Sequence, residues 1–280
     1  MQLDAAGLAA YLARIGIDAA PGGSVDAVSS VARAHAQSIP FENLDAFVGR
    51  RVSLQLDEVL GKLVHARRGG WCFEQNLLLG SALRALGFEV TDLAGRVLWG
   101  RDEKAVTPRT HRALLVRADG RNWLADVGFG GQSITGVLDL EDTGPQQVGH
   151  DRFRLTSLDG DRLLSVQIRG EWLPMYRFDL QPQWPIDFEA ANFQLCVDPA
   201  SHFTQSLMLS RADPRGRHAL RGLELAFHEG GARSTRRVLS GAEELLGVLR
   251  DVFGLVPDED LEQAVRARVE RLRASSGTRA

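Results

Sequence analysis

The hydrophobic period of this 280-residue chain changes at about Val90, and that switch restricts its architecture more than any other feature. Before it, apolar residues recur at helical spacing. Leu8, Tyr11, Leu12 and Ile15 fall at i, i+3, i+4 and i+7, as do Val28, Val31, Ala32 and His35, and then Leu56, Val59, Leu60 and Leu63. The apolar run Leu77 to Leu86 stops at Gly87, a suitable helix end. Beyond Val90 come short β-branched or aromatic runs bounded by turn residues: VTDLAGRVLWG, THRALLVR, NWLADVGF, DRFRLTSL, RLLSVQIRG and EWLPMYRFDL. Six such runs by residue 180 predict an antiparallel barrel or strongly curved sheet. The last third is mixed. Short strands over 218–238, broken at Gly230-Gly231, precede a helix opened by a Ser240/Glu243 capping box. Leu261, Val265, Val269 and Leu272 mark a final helix, and the end, SSGTRA, reads as disordered.

Charge and cysteine content narrow the function. With 33 basic and 36 acidic residues, the net charge of -3 argues against general nucleic-acid binding, though it leaves room for a local basic pocket. Two cysteines, Cys72 and Cys196, cannot make a disulfide framework, and without a CxxC pair no zinc site is expected. No apolar run approaches the length of a membrane span, so no membrane partner is expected. MQLDAAGLAAYLARIG lacks the pattern of a secretory leader, so the expected compartment is the cytoplasm, where thiols stay reduced.

Cys72 lies in RRGGWCFEQN, between a glycine pair and the start of a helix. The first turn of a helix carries unpaired N–H groups and the positive end of the dipole, and both favour a thiolate over a thiol. Gly69 and Gly70 would let the backbone pass close to an incoming substrate. A base is then needed. His35 sits on an apolar helical face and reads as core, His65 closely precedes the glycine pair, and His150, His218 and His228 read as surface. His111 begins the strand THRALLVR, whose hairpin partner NWLADVGF contains Asp126. If Asp119-Gly120 is the turn, opposed residues sum to 239, and His111 and Asp126 become diagonal neighbours on one face. Cys72, His111 and Asp126 are thus the parts of a nucleophile, base and orienting-acid triad. The VGFGG that follows contains no nucleotide-binding motif; it reads as a flexible wall over the site, with Phe129 as an apolar contact.

Taken together, IPFENLD, RGGWCFEQN, THRALLVR, LADVGFGG and the later SHF resemble the arylamine N-acetyltransferase family, in the right order over nearly the whole chain. The resemblance implies an α+β fold with a cysteine-protease-like core: a helical bundle over 1–88, an antiparallel β-barrel over 89–187 and an α/β lid over 188–280. It implies ping-pong acetyl transfer from acetyl-CoA, as cosubstrate and not as a tightly bound cofactor, to arylamines, arylhydrazines or hydrazides. Cys72, His111 and Asp126 match the family's triad. Phe41, Val97, Phe129 and Phe203 match positions lining its acceptor pocket, and Thr110 and the loop Gly128, Gly130 and Gly131 match positions near bound coenzyme A. Glu42 and Arg68 match a bracing pair, whose physical sense is a buried ion pair fixing the loop before the cysteine. Trp71 departs from the Phe or Tyr expected there, and its bulk would narrow or reshape the pocket. Monomer and homodimer both remain open. So do two other chemistries for the same three residues, amide formation on a carrier-protein thioester and hydrolysis of the thiol-protease type. A narrow acceptor slot and exclusion of water would favour transfer to a small amine.

Overall fold

The structure, a computed structural model, describes residues 1–19, 22–230 and 233–277. Helices α1 (Ala5–Arg14), α2 (Val25–Ser38), α3 (Leu44–Val48), α4 (Leu56–Leu60) and α5 (Cys72–Ala85) form the first lobe. Asp4 and Ser24 accept backbone N–H groups and so cap α1 and α2. A π-helical turn, Gly61–His65, follows α4 directly. The centre of this lobe is α5, where Leu77, Leu78, Leu79, Ala82 and Leu83 are all buried. Full burial of each leucine contributes roughly 1.5–3 kcal/mol. Glu74, Gln75 and Asn76 are buried as well, so the helix begins five residues before the apolar run from which it was read.

The period-2 region forms one antiparallel sheet of eight strands: β2 (Glu89–Val97), β3 (Arg109–Ala118), β4 (Arg121–Ala125), β5 (Val137–Asp139), β6 (Gln146–Val148), β7 (Asp151–Leu158), β8 (Asp161–Ile168) and β9 (Glu171–Phe178). Its order is β5-β4-β3-β2-β9-β8-β7-β6. The two ends approach through Gln146, whose side chain bonds the Asp139 N–H at 2.8 Å and the Asp139 carbonyl at 2.9 Å, so the barrel nearly closes. Its interior holds Leu93, Leu124, Leu138, Phe153, Leu164 and Met175.

The third lobe contains α6 (Pro185–Val197), α7 (His202–Gln205), β10 (Met208–Asp213), β11 (Gly216–Arg221), β12 (Glu224–Glu229), β13 (Ser234–Val238), α8 (Ala242–Asp251) and α9 (Glu259–Gly277). Its sheet also takes in β1 (Phe41–Glu42) from the helical region, paired antiparallel with β10. The IPFENLD segment is therefore shared between lobes, a role that apolar periodicity does not disclose. Two local readings change. Ser240 bonds Glu244 and not Glu243, and Gly241 precedes α8. The final helix runs through Gly277, three residues into SSGTRA; Thr278–Ala280 lie outside the described residues, as does Gly231 of the glycine break.

Candidate active site

Cys72 is the first residue of α5, and its Sγ lies 3.7 Å from the Thr110 carbonyl oxygen on β3. The preceding Trp71 N–H donates to the Glu74 carboxylate at 3.0 Å, which fixes where the helix starts. The unpaired N–H groups of that first turn put partial positive charge at the position of the thiol.

The hairpin follows the register read from its turn. Asp119 and Gly120 have φ of 51° and 74°, as a type I′ turn requires, and Leu114 opposes Ala125 as Ala118 opposes Arg121. Asp126 lies one residue past the end of β4. His111 Nε2 meets its Oδ2 at 2.7 Å, which leaves Nδ1 for the thiol side. Burial alone would strip the proton from the imidazole. The charge and hydrogen bond of Asp126, with a hydrogen bond to Cys72, overcome that and raise His111 to about 10. Burial would likewise raise Asp126, but His111, Asn76 and the Gly128 N–H together hold it below the usual carboxylate range.

Asn76 was missed by sequence reasoning. Its Nδ2 donates to Asp126 Oδ1 at 2.9 Å and to the Arg112 carbonyl at 2.6 Å, while its Oδ1 accepts the Val127 N–H at 3.1 Å. The signal was available: four residues after Cys72 is the same face of one helix. Tyr176 was also missed. Its ring lies 4.6 Å from the His111 imidazole and 5.5 Å from Phe129, a placement created by β9 pairing with β2 and invisible in local pattern.

A cleft of about 1820 Å³ opens over the thiol. Phe41, Val97, Thr110, Phe129, Phe203 and the glycines 128, 130 and 131 line it with Cys72 and His111, whereas Asp126, Glu42 and Arg68 stand behind its wall. Trp99, not anticipated, also lines it, with its ring 6.1 Å from Phe129. The cleft is not a narrow slot, because it exceeds the roughly 300–1,000 Å³ of an ordinary small-ligand pocket. Its lining also includes Arg152, Arg169, Arg217 and Arg236, together with His150 and His228, which are wall residues and not merely surface.

The glycines have specific causes. A Cβ on Gly128 would stand 2.6 Å from Cys72 Cα, so the loop can lie against the nucleophile only without one. A Cβ on Gly69 would meet the Pro40 carbonyl at 2.1 Å, and one on Gly70 would meet Glu74 Oε2 at 2.5 Å. Neither of these two lines the cleft, so the pair accommodates protein neighbours and not a substrate. The wall beyond Gly128 is tied down, since Arg217 bonds the Gly131 carbonyl, the Gln132 side chain and Asp151.

Glu42 Oε1 accepts from Arg68 Nη2 at 2.6 Å and from Nε at 2.8 Å, both side chains being buried. The chain of charges continues through Asp45 to Lys62, and Lys62 reaches Glu74 at 2.8 Å, so it ends on the carboxylate that caps α5. Burial pushes Glu74 up to about 7, against the opposing charge of Lys62. Trp71 is also buried and does not narrow the cleft. Its indole N–H donates to Asn192 on α6 at 3.1 Å, and its ring stands edge-on to Phe203 at 5.2 Å, behind the wall.

A helical lobe, a nearly closed barrel and an α/β lobe thus meet over a buried thiol, imidazole and carboxylate. The family model for N-acetyltransferases matches residues 24–261. The chain is 42% identical over 267 residues to the arylamine N-acetyltransferase of Mycolicibacterium smegmatis, covering 94% of this chain and 96% of that one. It is 38% identical to the enzyme of the same name from Escherichia coli strain K12, covering 89% of each. Among solved structures, the M. smegmatis arylamine N-acetyltransferase superposes with a TM-score of 0.88 at 38% identity, over 95% and 98% of the two chains. That of Mycobacterium marinum in complex with CoA gives 0.89 at 33% identity, over 94% and 98%. The chain belongs to the arylamine N-acetyltransferase family and is an enzyme of that family. Among the described residues, no helix is long and apolar enough to cross a membrane.

Proposed function

We propose that this enzyme carries an acetyl group from acetyl-CoA to an arylamine, arylhydrazine or hydrazide by a ping-pong route through acetyl-Cys72. The observation that carries this reading is the 2.7 Å contact of His111 with Asp126, next to a cysteine at a helix start on the floor of the cleft. In the resting enzyme His111 carries a proton on its ring, where Asp126 stabilises it. The sulfur attacks the thioester carbonyl carbon, and N–H donors at the start of α5 receive the developing oxyanion. The C–S bond to coenzyme A breaks, and His111 returns its proton to the departing thiolate. The neutral imidazole then takes a proton from the amine as it attacks the acetyl-thioester, and the free sulfur is regenerated.

The cleft suits two substrates that bind in turn. Its arginines offer charge to the phosphates of a coenzyme, and Phe41, Phe129 and Phe203 offer an apolar seat to an aromatic acceptor. The ion-pair chain from Glu42 to Glu74 braces the start of α5. With lobes divided at residues 88 and 187, the nucleophile comes from the first and its partners from the second, in a cytoplasmic enzyme whose thiol stays reduced. Initial rates at several fixed acceptor concentrations test the route. Parallel double-reciprocal lines against acetyl-CoA are expected, and lines that converge would show direct transfer within a ternary complex.

A further inference from the structure

We propose that Arg221 and Arg101 form an anion seat beside Phe41 and Phe203, so that the enzyme prefers arylamines whose ring carries a carboxylate away from the amine. The inference rests on the acetyl-transfer reading and adds to it the charge of the acceptor. Strand pairing places Arg221. Phe41 opposes Ser210, Ser210 opposes Ala219, and Met208 opposes Arg221 two residues along the same two strands. Paired residues share a face, as do residues two apart, so Arg221 stands on the sheet face that presents Phe41 to the cleft. The opposite face, with Leu209 and Leu220, is buried in the core of the third lobe.

The aromatic wall is fixed to the same segment. Asn43 donates to the Phe203 carbonyl and accepts the Met208 N–H, each at 2.7 Å. The Phe203 ring lies 6.2 Å from Phe41 and 4.0 Å from His202. Arg101 comes from the barrel, in the turn after β2, where its N–H bonds the Leu98 carbonyl at 2.9 Å. Arg101, His202 and Arg221 all line the cleft. Among the described residues neither guanidinium has a hydrogen bond or an ion pair. Glu224, which opposes Arg221 on β12, is held by Arg236 at 2.8 Å. Burial, and then the charges of Arg221 and Arg101, hold the His202 imidazole below its usual range, so both cations act on one neutral ring. Two unpaired guanidiniums beside an aromatic seat suit a planar carboxylate, which their fork of N–H donors matches. The carboxyl group of such an acceptor is ionised at neutral pH, while its aromatic amine stays neutral and nucleophilic.

Acceptor kinetics with 4-aminobenzoate and its neutral methyl ester test the proposal. Arg221→Gln and Arg101→Gln should each lower the acid-over-ester ratio of kcat/KM by about tenfold, a comparison between proteins in which the intrinsic reactivity of the two amines cancels. Arg221→Glu should lower the ratio further, and added salt should lower it in the wild-type chain. Both positions are exposed, so the variants should keep the wild-type melting midpoint. A ratio that none of these substitutions moves overturns the proposal. So does an unchanged ratio with a rise in the acetyl-CoA concentration that half-saturates Cys72 acetylation, which would assign the arginines to the coenzyme's phosphates. Transfer to neither compound would overturn the acetyl-transfer reading itself, and this inference with it.

Discussion

Asn76 holds one oxygen of Asp126 at 2.9 Å, and so presents the other to His111 at 2.7 Å. The carboxylate is therefore aimed by the same helix that carries Cys72. A hydrogen bond to a charged group is worth about 1.5–3 kcal/mol. Asn76→Ala should slow single-turnover acetylation about 10- to 100-fold, with the fold intact. Asp126→Asn should cost more, about 10³- to 10⁴-fold, because it disturbs both the tautomer and the charge that stabilises the imidazolium. Equal losses in the two variants would show that Asn76 does more than aim Asp126.

His111 keeps its proton to about pH 10 in the resting site. Alkylation of Cys72 by iodoacetamide should therefore slow in His111→Ala, which removes the neighbouring imidazolium. Burial raises the Cys196 thiol, so Cys196 should stay unreactive in both proteins. A Cys72 rate unchanged in His111→Ala would mean that the sulfur does not pair with the imidazolium.

Gly128 lies against the backbone of Cys72, and Gly128→Ala would place a methyl group 2.6 Å from Cys72 Cα. Overpacking of this kind costs about 1–3 kcal/mol. The melting midpoint should fall and acetylation should slow together. Gly131→Ala, with nothing within 4 Å of the added Cβ, should leave the midpoint unchanged.

Trp71→Phe separates packing from hydrogen bonding. The ring contact with Phe203 can survive, but Asn192 Oδ1 loses the indole donor. The expected loss is about 1–3 kcal/mol of stability, with little change in acceptor KM because Trp71 does not line the cleft. A large KM change with unchanged stability would make Trp71 a specificity residue after all.

Stability should fall on the acid side through His35. Burial holds this ring down to about 4, despite the hydrogen bond to Gln75, so the folded state binds its proton later than the unfolded chain does. Its contribution is present above about pH 6.5 and is lost as pH falls toward 4, on the order of 3 kcal/mol in all. A non-titrating His35→Phe variant should show a shallower acid limb in melting midpoint against pH, whatever its absolute stability.

Much of the site was legible because the relationships that build it are local. The Asp119-Gly120 turn carries the whole register that brings Asp126 to His111, and RGGWCFEQN places a cysteine before an apolar helical run. What escaped depends on contacts across lobes. Apolar periodicity cannot show that α5 starts at Cys72, because its first turn buries Glu74, Gln75 and Asn76 and satisfies them on distant partners. Lys62 gave no local sign of closing an ion-pair chain, and Tyr176 reaches the imidazole only because the barrel curls. Trp71 looked like a pocket residue by adjacency to Cys72, yet the extended backbone before the helix turns its ring inward to α6.

Intact mass after brief exposure to acetyl-CoA alone tests most directly whether Cys72 carries the transferred group. The wild-type chain should gain one acetyl group, Cys72→Ala none, and addition of an arylamine should discharge it. A chain that never gains the group, or one that still gains it in Cys72→Ala, would contradict transfer through this thiol.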